Sequence, residues 1–400
     1  MSDLREPSEL QAAEREQSQL RPQIDVDCHG DPRELGLAIG VSLRERIRAA
    51  ERLLPDFETF RLYQPWWMPT SVFYYVAQRR ARWALEPGLT ANYPAMQQRL
   101  LGIAEGAQTS VEFLYLFHAM ESASTGAYDV LPNLAACTAV AVDGTRTADR
   151  HSLLAHNFDL VPATAPLLSL RRSSGSGPLR SIGLSLAPMA GIIDGINEHG
   201  LSITYNYAPT TDCDETGPPV SLAIDDALGH CSTVTQAIER ITSYSRGGGA
   251  LLMLADARGE IAALELSAHH HHSRPAGAGG GLRHSNAYRS RAMQRFEMPR
   301  TAVYSERAPQ ALRGTRVFQS ATRRDMRLSH LLRDRPVVDT HGLKQLMADH
   351  GRDGVPGSDT ICMHGSHWTT LATVQLHPSG RTLSIAYGPA CQATFTTFAV

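Results

Sequence analysis

The hydrophobic periodicity of the chain changes near Pro132, and that change limits the fold more than any other feature. Before it, Leu35, Ile39, Leu43 and Ile47 recur every four residues opposite a charged run, so residues 35–54 are expected to be helical. Leu37 and Val41 also permit an alternating pattern there. Residues 94–106 and 111–124 read as two further helices. Pro94 suits a first helical position, where its missing N–H costs nothing, and Glu105-Gly106 followed by Gln108-Thr109-Ser110 supplies a stop and a new N-cap. After it, the run Thr138-Ala139-Val140-Ala141-Val142 is small, β-branched and apolar, and Asp143-Gly144 bounds it as strand and turn. Similar strands are expected at residues 152–156, 182–186 and 201–207, with hairpins at 251–266 and 371–387. Between them Ser232 or Thr233 caps a helix with Val234, Ala237, Ile238 and Ile241 on one face, and residues 339–350 read as another helix. Helices followed by hairpin-connected strands point to layered α+β with antiparallel sheets.

Composition removes several function classes. The chain has 400 residues and a formal net charge of −2, so nucleic acid is a poor partner. Its six cysteines include no C-x-x-C pair, which argues against a zinc ribbon, and a chain this long needs no disulfide scaffold. Residues 1–23 carry Glu6, Glu9, Glu14 and Glu16 among serines and glutamines and are expected to be a disordered tail, not a signal peptide. No stretch approaches the roughly 18 apolar residues of a membrane span. The expectation is a cytoplasmic protein without membrane contact. The run His269-His270-His271-His272 precedes Ser273 and a Gly-rich stretch to Gly281; with no cysteine near and only Glu265 as a close carboxylate, it reads as an irregular surface loop rather than a metal site.

Cys137, in Leu134-Ala135-Ala136-Cys137-Thr138, stands where a loop meets a strand. Locally it reads as a small buried hydrophobe. Farther on come Asn157-Phe158-Asp159, Gly195-Ile196-Asn197-Glu198-His199-Gly200 leading to Asn206, His284-Ser285-Asn286, Ile361-Cys362 and Gly388-Pro389-Ala390-Cys391. In this order, and with Gly30-Asp31-Pro32-Arg33-Glu34-Leu35-Gly36 and Gly102-Ile103-Ala104-Glu105-Gly106 upstream, the blocks resemble the acyl-coenzyme A:6-aminopenicillanic acid acyltransferase family. These are the C45 peptidases, which are N-terminal-nucleophile (Ntn) hydrolases. The resemblance implies a four-layer αββα sandwich with an N-terminal helical segment.

It also implies a mechanism. Cys137 attacks the carbonyl of Ala136, the peptide bond between them is cleaved, and the helix-rich α chain (residues 24–136 behind the tail) separates covalently from a β chain of residues 137–400, the two fragments staying associated. The new α-amino group, with a pKa of about 7.7–8.0, then serves as the base for the thiol, which an unperturbed lysine near about 10.4 would not. Asp159 is implied to orient that group and Asn286 to donate to the oxyanion of the tetrahedral intermediate. Asn157, Asn206 and His364 are candidates for substrate binding. Asn197 reads as a turn residue, and Thr138 either as an assistant in self-cleavage or simply as a β-branched strand residue. No metal or organic cofactor is implied, and the substrate is a small acylated amine or specialised metabolite. Three departures stand out: Ala136 replaces the family's usual Gly, the interval from Cys137 to Asp159 is longer, and Met363 stands where the family commonly has Arg. Trp66-Trp67-Met68-Pro69 reads either as core or as a wall of an acyl pocket. Two alternatives remain open: an unprocessed cysteine hydrolase with a distant histidine, and a non-catalytic binding protein of the same fold.

Overall fold

The Asp-Pro-Arg-Glu motif begins the first helix for a local reason. Asp31 accepts hydrogen bonds from the Arg33 and Glu34 backbone N–H groups at 2.8 and 2.9 Å, and Glu34 accepts from the Asp31 N–H at 2.8 Å. This is a reciprocal cap, with Pro32 in the first turn. In the computed structural model, which describes residues 17, 19–126, 136–175 and 177–400, the stretch expected as one helix is two, Pro32–Ser42 and Arg44–Leu53, broken at Leu43. Pro94–Ala107 ends at Gln108 in the left-handed conformation, and Ser110 caps the helix Val111–Gly126 by accepting from the Phe113 N–H at 3.1 Å. Most of the tail, residues 1–16 and 18, lies outside the described residues, as do residues 127–135 ahead of Ala136.

Two sheets form the centre. The eight-stranded sheet runs in spatial order Val26–Gly30, Leu168–Gly175, Ser181–Leu186, Asp194–Asn197, Ser202–Tyr207, Ala250–Ala255, Ile261–Leu266, His271–Pro275. All its neighbours are antiparallel except the first pair, which is parallel. The six-stranded sheet is antiparallel throughout, in the order Gly281–His284, Thr138–Val142, Leu153–Leu160, Thr369–His377, Thr382–Tyr387, Thr396–Ala399. The sheets face each other, and at their centre His156 of one sheet meets Asp194 of the other at 2.7 Å, both fully buried. Helices Val220–His230 and Val234–Thr242 lie against the eight-stranded sheet, while Gln319–Asp334 and Thr340–Met347 lie against the six-stranded one. The layer order is therefore αββα. Ala250–Ala255 is buried along its whole length, which is why it reads as a continuous apolar run, and Leu153–Leu160 is equally buried although it carries His156, Asn157 and Asp159.

The N-terminal helices form a lobe on this sandwich. Pro32–Ser42 crosses Pro94–Ala107 at a distance set by four glycines: a Cβ at Gly36, Gly40, Gly102 or Gly106 would collide with backbone atoms of the opposite helix. The upstream glycine blocks of the sequence are therefore a helix–helix contact. Two expectations are corrected. The histidine run is no irregular loop, because His271–Pro275 is an edge strand paired with Ile261–Leu266 and both His269 and His270 hydrogen-bond Asp212 at 2.9 and 3.0 Å. Trp66 and Trp67 are neither core nor pocket wall: they are 96% and 64% exposed in the turn before helix Thr70–Asn92. That helix carries Pro87 in its interior.

Because the obstruction at the crossing is backbone, it has nowhere to move. Gly102→Val is expected to destabilise the protein by about 1–3 kcal/mol or more, seen as a lower thermal midpoint, while Arg48→Ala on the exposed face of the neighbouring helix leaves it nearly unchanged.

Candidate active site

Cys137 immediately precedes the strand Thr138–Val142, and the sheet register decides what surrounds it. His284 pairs with Ala139, so two residues on Asn286 stands opposite Cys137. The Cys137 N–H donates to Oδ1 of Asn286 at 2.8 Å, and the Ala136 N–H donates to the Asp159 carbonyl at 3.0 Å. The other face of the Asn286 amide is also used, since its Nδ2 donates to the Tyr207 carbonyl at 2.8 Å.

A residue that the sequence reading missed completes this ring. Arg324, buried in helix Gln319–Asp334, donates from Nη1 to the Cys137 carbonyl at 2.5 Å and to Oγ1 of Thr138 at 2.8 Å. Its Nη2 donates to Oδ1 of Asn286 at 2.8 Å, and its Nε to Oγ of Ser320 at 3.1 Å. The signal was present: Ala321, Arg324, Leu328 and Leu332 form the buried stripe of the helix, and a charged residue in such a stripe must have a polar destination. Met363, which stands where the resemblance led one to expect an arginine, is buried in an apolar cluster with Ala136 and Trp368.

Alternation along Leu153–Leu160 separates two environments. Phe158 faces an apolar pocket of about 150 Å³ that also exposes Cys137; its other walls include Leu53, Phe57, Phe117, Met120, Leu160, Tyr205 and Tyr207. Asp159 points the other way, accepting from the Thr370 hydroxyl at 2.6 Å, with Oδ2 buried and without a partner among the described residues. Thr370 is aimed there by a bulge, for the register with Leu153–Leu160 shifts between Thr370 and Ala372. The Cys137 Sγ lies 4.0 Å from the Asp159 carbonyl.

The structure therefore brings Cys137, Asp159 and Asn286 together around the Ala136–Cys137 bond. The substrate-binding candidates lie elsewhere. Asn157 is occupied by carbonyls of Met347 and Ile361 and by the Thr373 hydroxyl, all at 2.8 Å. Asn206 donates to the Ser285 carbonyl at 3.0 Å and pairs with His284 at 3.2 Å, so it holds the segment that carries Asn286. His364 faces Cys362 and Cys391. None of the three lines the pocket at Cys137. Asn197 accepts from the His199 and Leu201 N–H groups and closes a turn, as its glycine neighbours suggested.

Burial pushes the Cys137 thiol up, with the Asp159 charge adding to it, so in the intact chain the sulfur is protonated. Burial also pushes the Asp159 carboxyl up to about 8, against the opposing pull of Arg324 and the Thr370 hydrogen bond. An unfolded carboxyl loses its proton near pH 4, so between there and about pH 8 the folded state holds more protons than the unfolded one. This contribution is full below the unfolded pKa and is lost as pH rises through the folded one. In a chain kept intact by Cys137→Ala, stability should fall over this window by an increment that Asp159→Asn removes, measured by denaturant titration at several pH values.

The acyl-coenzyme A:6-aminopenicillanic acid acyl-transferase family matches residues 145–390, a span that begins after Cys137 and includes Asp159, Asn286 and Arg324. No curated protein matches the chain. Among solved structures, it resembles the N-acylethanolamine-hydrolyzing acid amidase ortholog of Caenorhabditis elegans (12% identity, TM-score 0.40, 61% of this chain and 93% of that one). It also resembles the penicillin V acylase of Agrobacterium tumefaciens (12%, TM-score 0.41, 66% and 86%) and a mutant of the conjugated bile acid hydrolase from Clostridium perfringens (13%, TM-score 0.36, 66% and 97%). With more than half of the sequence matched, the chain belongs to the acyl-coenzyme A:6-aminopenicillanic acid acyl-transferase family.

Proposed function

We propose that this protein is a self-processing Ntn enzyme that takes an acyl group from a small amide or thioester onto Cys137 and passes it to water or to an amine. The observation that carries this reading is the setting of Cys137. Its thiol opens onto an apolar pocket, while its own backbone N–H and C=O are each held by a buried side chain, Asn286 and Arg324. Neither hydrogen bond involves Ala136, so both can survive the loss of the peptide bond ahead of Cys137.

In the first step the sulfur attacks the Ala136 carbonyl carbon. A C–S bond forms, the C–N bond breaks, and the nitrogen takes the thiol proton. Water then hydrolyses the thioester, leaving a carboxylate on Ala136, a free thiol and an α-amino group on Cys137. Oδ1 of Asn286, an acceptor, fits an amine N–H as well as the amide N–H it now receives. The lone pair of the neutral amine is left to accept the thiol proton in each turnover, directly or through one water. The buried Oδ2 of Asp159 has no partner among the described residues and is suited to orient the ammonium form. The remaining hydrogen of the Asn286 Nδ2 is the group we assign to the oxyanion.

The pocket supports an apolar acyl group. Its volume of about 150 Å³ is that of an apolar cavity able to hold a benzene-sized molecule. Its walls come from both sides of the cleavage point, Leu53, Phe57, Phe117 and Met120 before it and Phe158, Leu160, Tyr205 and Tyr207 after it, which supports fragments that remain together after scission. Among the described residues no histidine lines the pocket, which weighs against a conventional cysteine–histidine pair.

Intact-mass analysis of the purified protein is expected to show two species meeting at the Ala136–Cys137 bond, the second beginning Cys-Thr-Ala-Val. Cys137→Ala should give one uncleaved chain without turnover; a single chain in a fully active preparation overturns the scheme. In processed protein, Asn286→Ala should lower turnover of N-acyl compounds by about 10²–10³-fold, and compounds with phenyl-sized acyl groups should outrun their acetyl analogues in a panel assay.

A further inference from the structure

Four side chains outside the acyl pocket converge where three segments meet. His350 follows helix Thr340–Met347, Cys362 and His364 belong to the loop ahead of strand Thr369–His377, and Cys391 follows strand Thr382–Tyr387. One ligand atom from each lies within 4.8 Å of all the others. The Cys362 Sγ is 3.5 Å and the Cys391 Sγ 3.4 Å from the same nitrogen, Nε2 of His364. One imidazole nitrogen offers a single hydrogen or a single lone pair, and the two thiols also lean on each other, so three donor atoms crowd a spot where one cation would satisfy all of them together. The second imidazole points to the same conclusion: Nε2 of His350 is buried with no hydrogen-bond partner among the described residues, and its ring stands edge-on to that of His364 with centroids 5.1 Å apart.

We propose that His350, Cys362, His364 and Cys391 bind a structural zinc ion. The donor set selects the metal. Two thiolates and two imidazoles suit zinc and do not suit calcium or magnesium, which take oxygen. A tetrahedral zinc, with Zn–S of about 2.3 Å and Zn–N of about 2.0–2.1 Å, holds its ligand atoms roughly 3.3–3.8 Å apart, and the two sulfur–nitrogen separations already fall in that window. All four ligands come from the chain, so no position is left for water or substrate. Binding releases the two thiol protons to solvent, and Zn²⁺ with two thiolates is neutral, which fits a site where Cys362 is buried. Cys391, the exposed ligand, is the side from which the ion arrives.

The ion would fix more than three chain segments. Met363 lies between two ligands, and its N–H donates to the Thr370 hydroxyl at 2.9 Å while its carbonyl accepts from the Thr370 N–H at 3.0 Å. That hydroxyl is the one held by Asp159. The proposal does not depend on the acyl chemistry. It was invisible in the sequence because the ligands are spread over residues 350–391 without a C-x-x-C pair.

Untagged full-length protein, purified under reducing conditions, is expected to contain about one equivalent of zinc per chain by elemental analysis. Replacement with cobalt should produce the strong visible absorption of a tetrahedral cobalt thiolate. Cys391→Ser and His350→Ala should each lose the equivalent, whereas alanine at His271 and His272 should keep it. Chelation should lower the thermal midpoint of the wild type and leave that of Cys391→Ser unchanged. A chain that takes up neither zinc nor cobalt stoichiometrically, a Cys391→Ser variant that keeps its metal, loss of metal with the His271 and His272 replacements, or a Cys362–Cys391 disulfide in the purified protein overturns the proposal. Should Cys391→Ser fail to fold, a cobalt spectrum of the wild type lacking thiolate bands does so on its own.

Discussion

Arg324 carries a permanent charge into the middle of the protein, and the geometry around Cys137 follows from how that charge is satisfied. A buried ion loses several kcal/mol of hydration and is tolerated only with close partners. Here all three guanidinium nitrogens have them: Ser320, the Cys137 carbonyl with Thr138, and Asn286. Two of those partners are themselves parts of the site. Because the fork is planar and rigid, holding Asn286 by one arm and the Cys137 carbonyl by the other fixes their spacing. It also fixes the orientation of the Asn286 amide, whose oxygen must face the guanidinium, so its nitrogen faces Tyr207. Asp159 feels the same cation, yet burial outweighs it and raises the carboxyl.

The two-residue repeat of a strand is what keeps this polar network away from the apolar pocket. Phe158 and Asp159 are neighbours in sequence on opposite faces of one sheet, one against the apolar cavity and the other against Thr370. Cys137 sits at the boundary, with its sulfur in the cavity and its backbone in the network. A one-residue slip of the Gly281–His284 pairing would put Ser285 rather than Asn286 opposite Cys137. Asn206 opposes such a slip from the other sheet by holding the Ser285 carbonyl.

Much of this was legible wherever the cause was local. Helix starts at Pro94 and Val234 announce themselves because a cap or a proline acts within a few residues, whereas the Asp31 cap, equally local, places the first helix start at Pro32, three residues before the expected Leu35. The Thr138–Val142 strand and both hairpins are visible because turn residues bracket apolar runs. Helix Thr70–Asn92 was not, since Glu86-Pro87-Gly88 reads as a stop while packing carries the helix through it. That Cys137, Asp159 and Asn286 lie together was expected from the order of their blocks. Arg324 was hidden because its meaning depends on residues 187 and 38 positions away in the chain. Asn157, Asn206 and His364, read as substrate contacts, face other partners in the structure, because a polar residue in a motif shows nothing in sequence of where its side chain finds its hydrogen bonds.

The make-up of the cavity walls has a consequence for how such a protein can diversify. Leu53, Phe57, Phe117 and Met120 shape the space from the helical lobe, and among the described residues none of them hydrogen-bonds to Cys137, Asn286 or Arg324. Changes among these four can therefore resize one side of the chamber while the polar network around Cys137 stays as it is. The opposite side, Phe158, Leu160, Tyr205 and Tyr207, belongs to the sheets and is tied to that network by the strands that carry both.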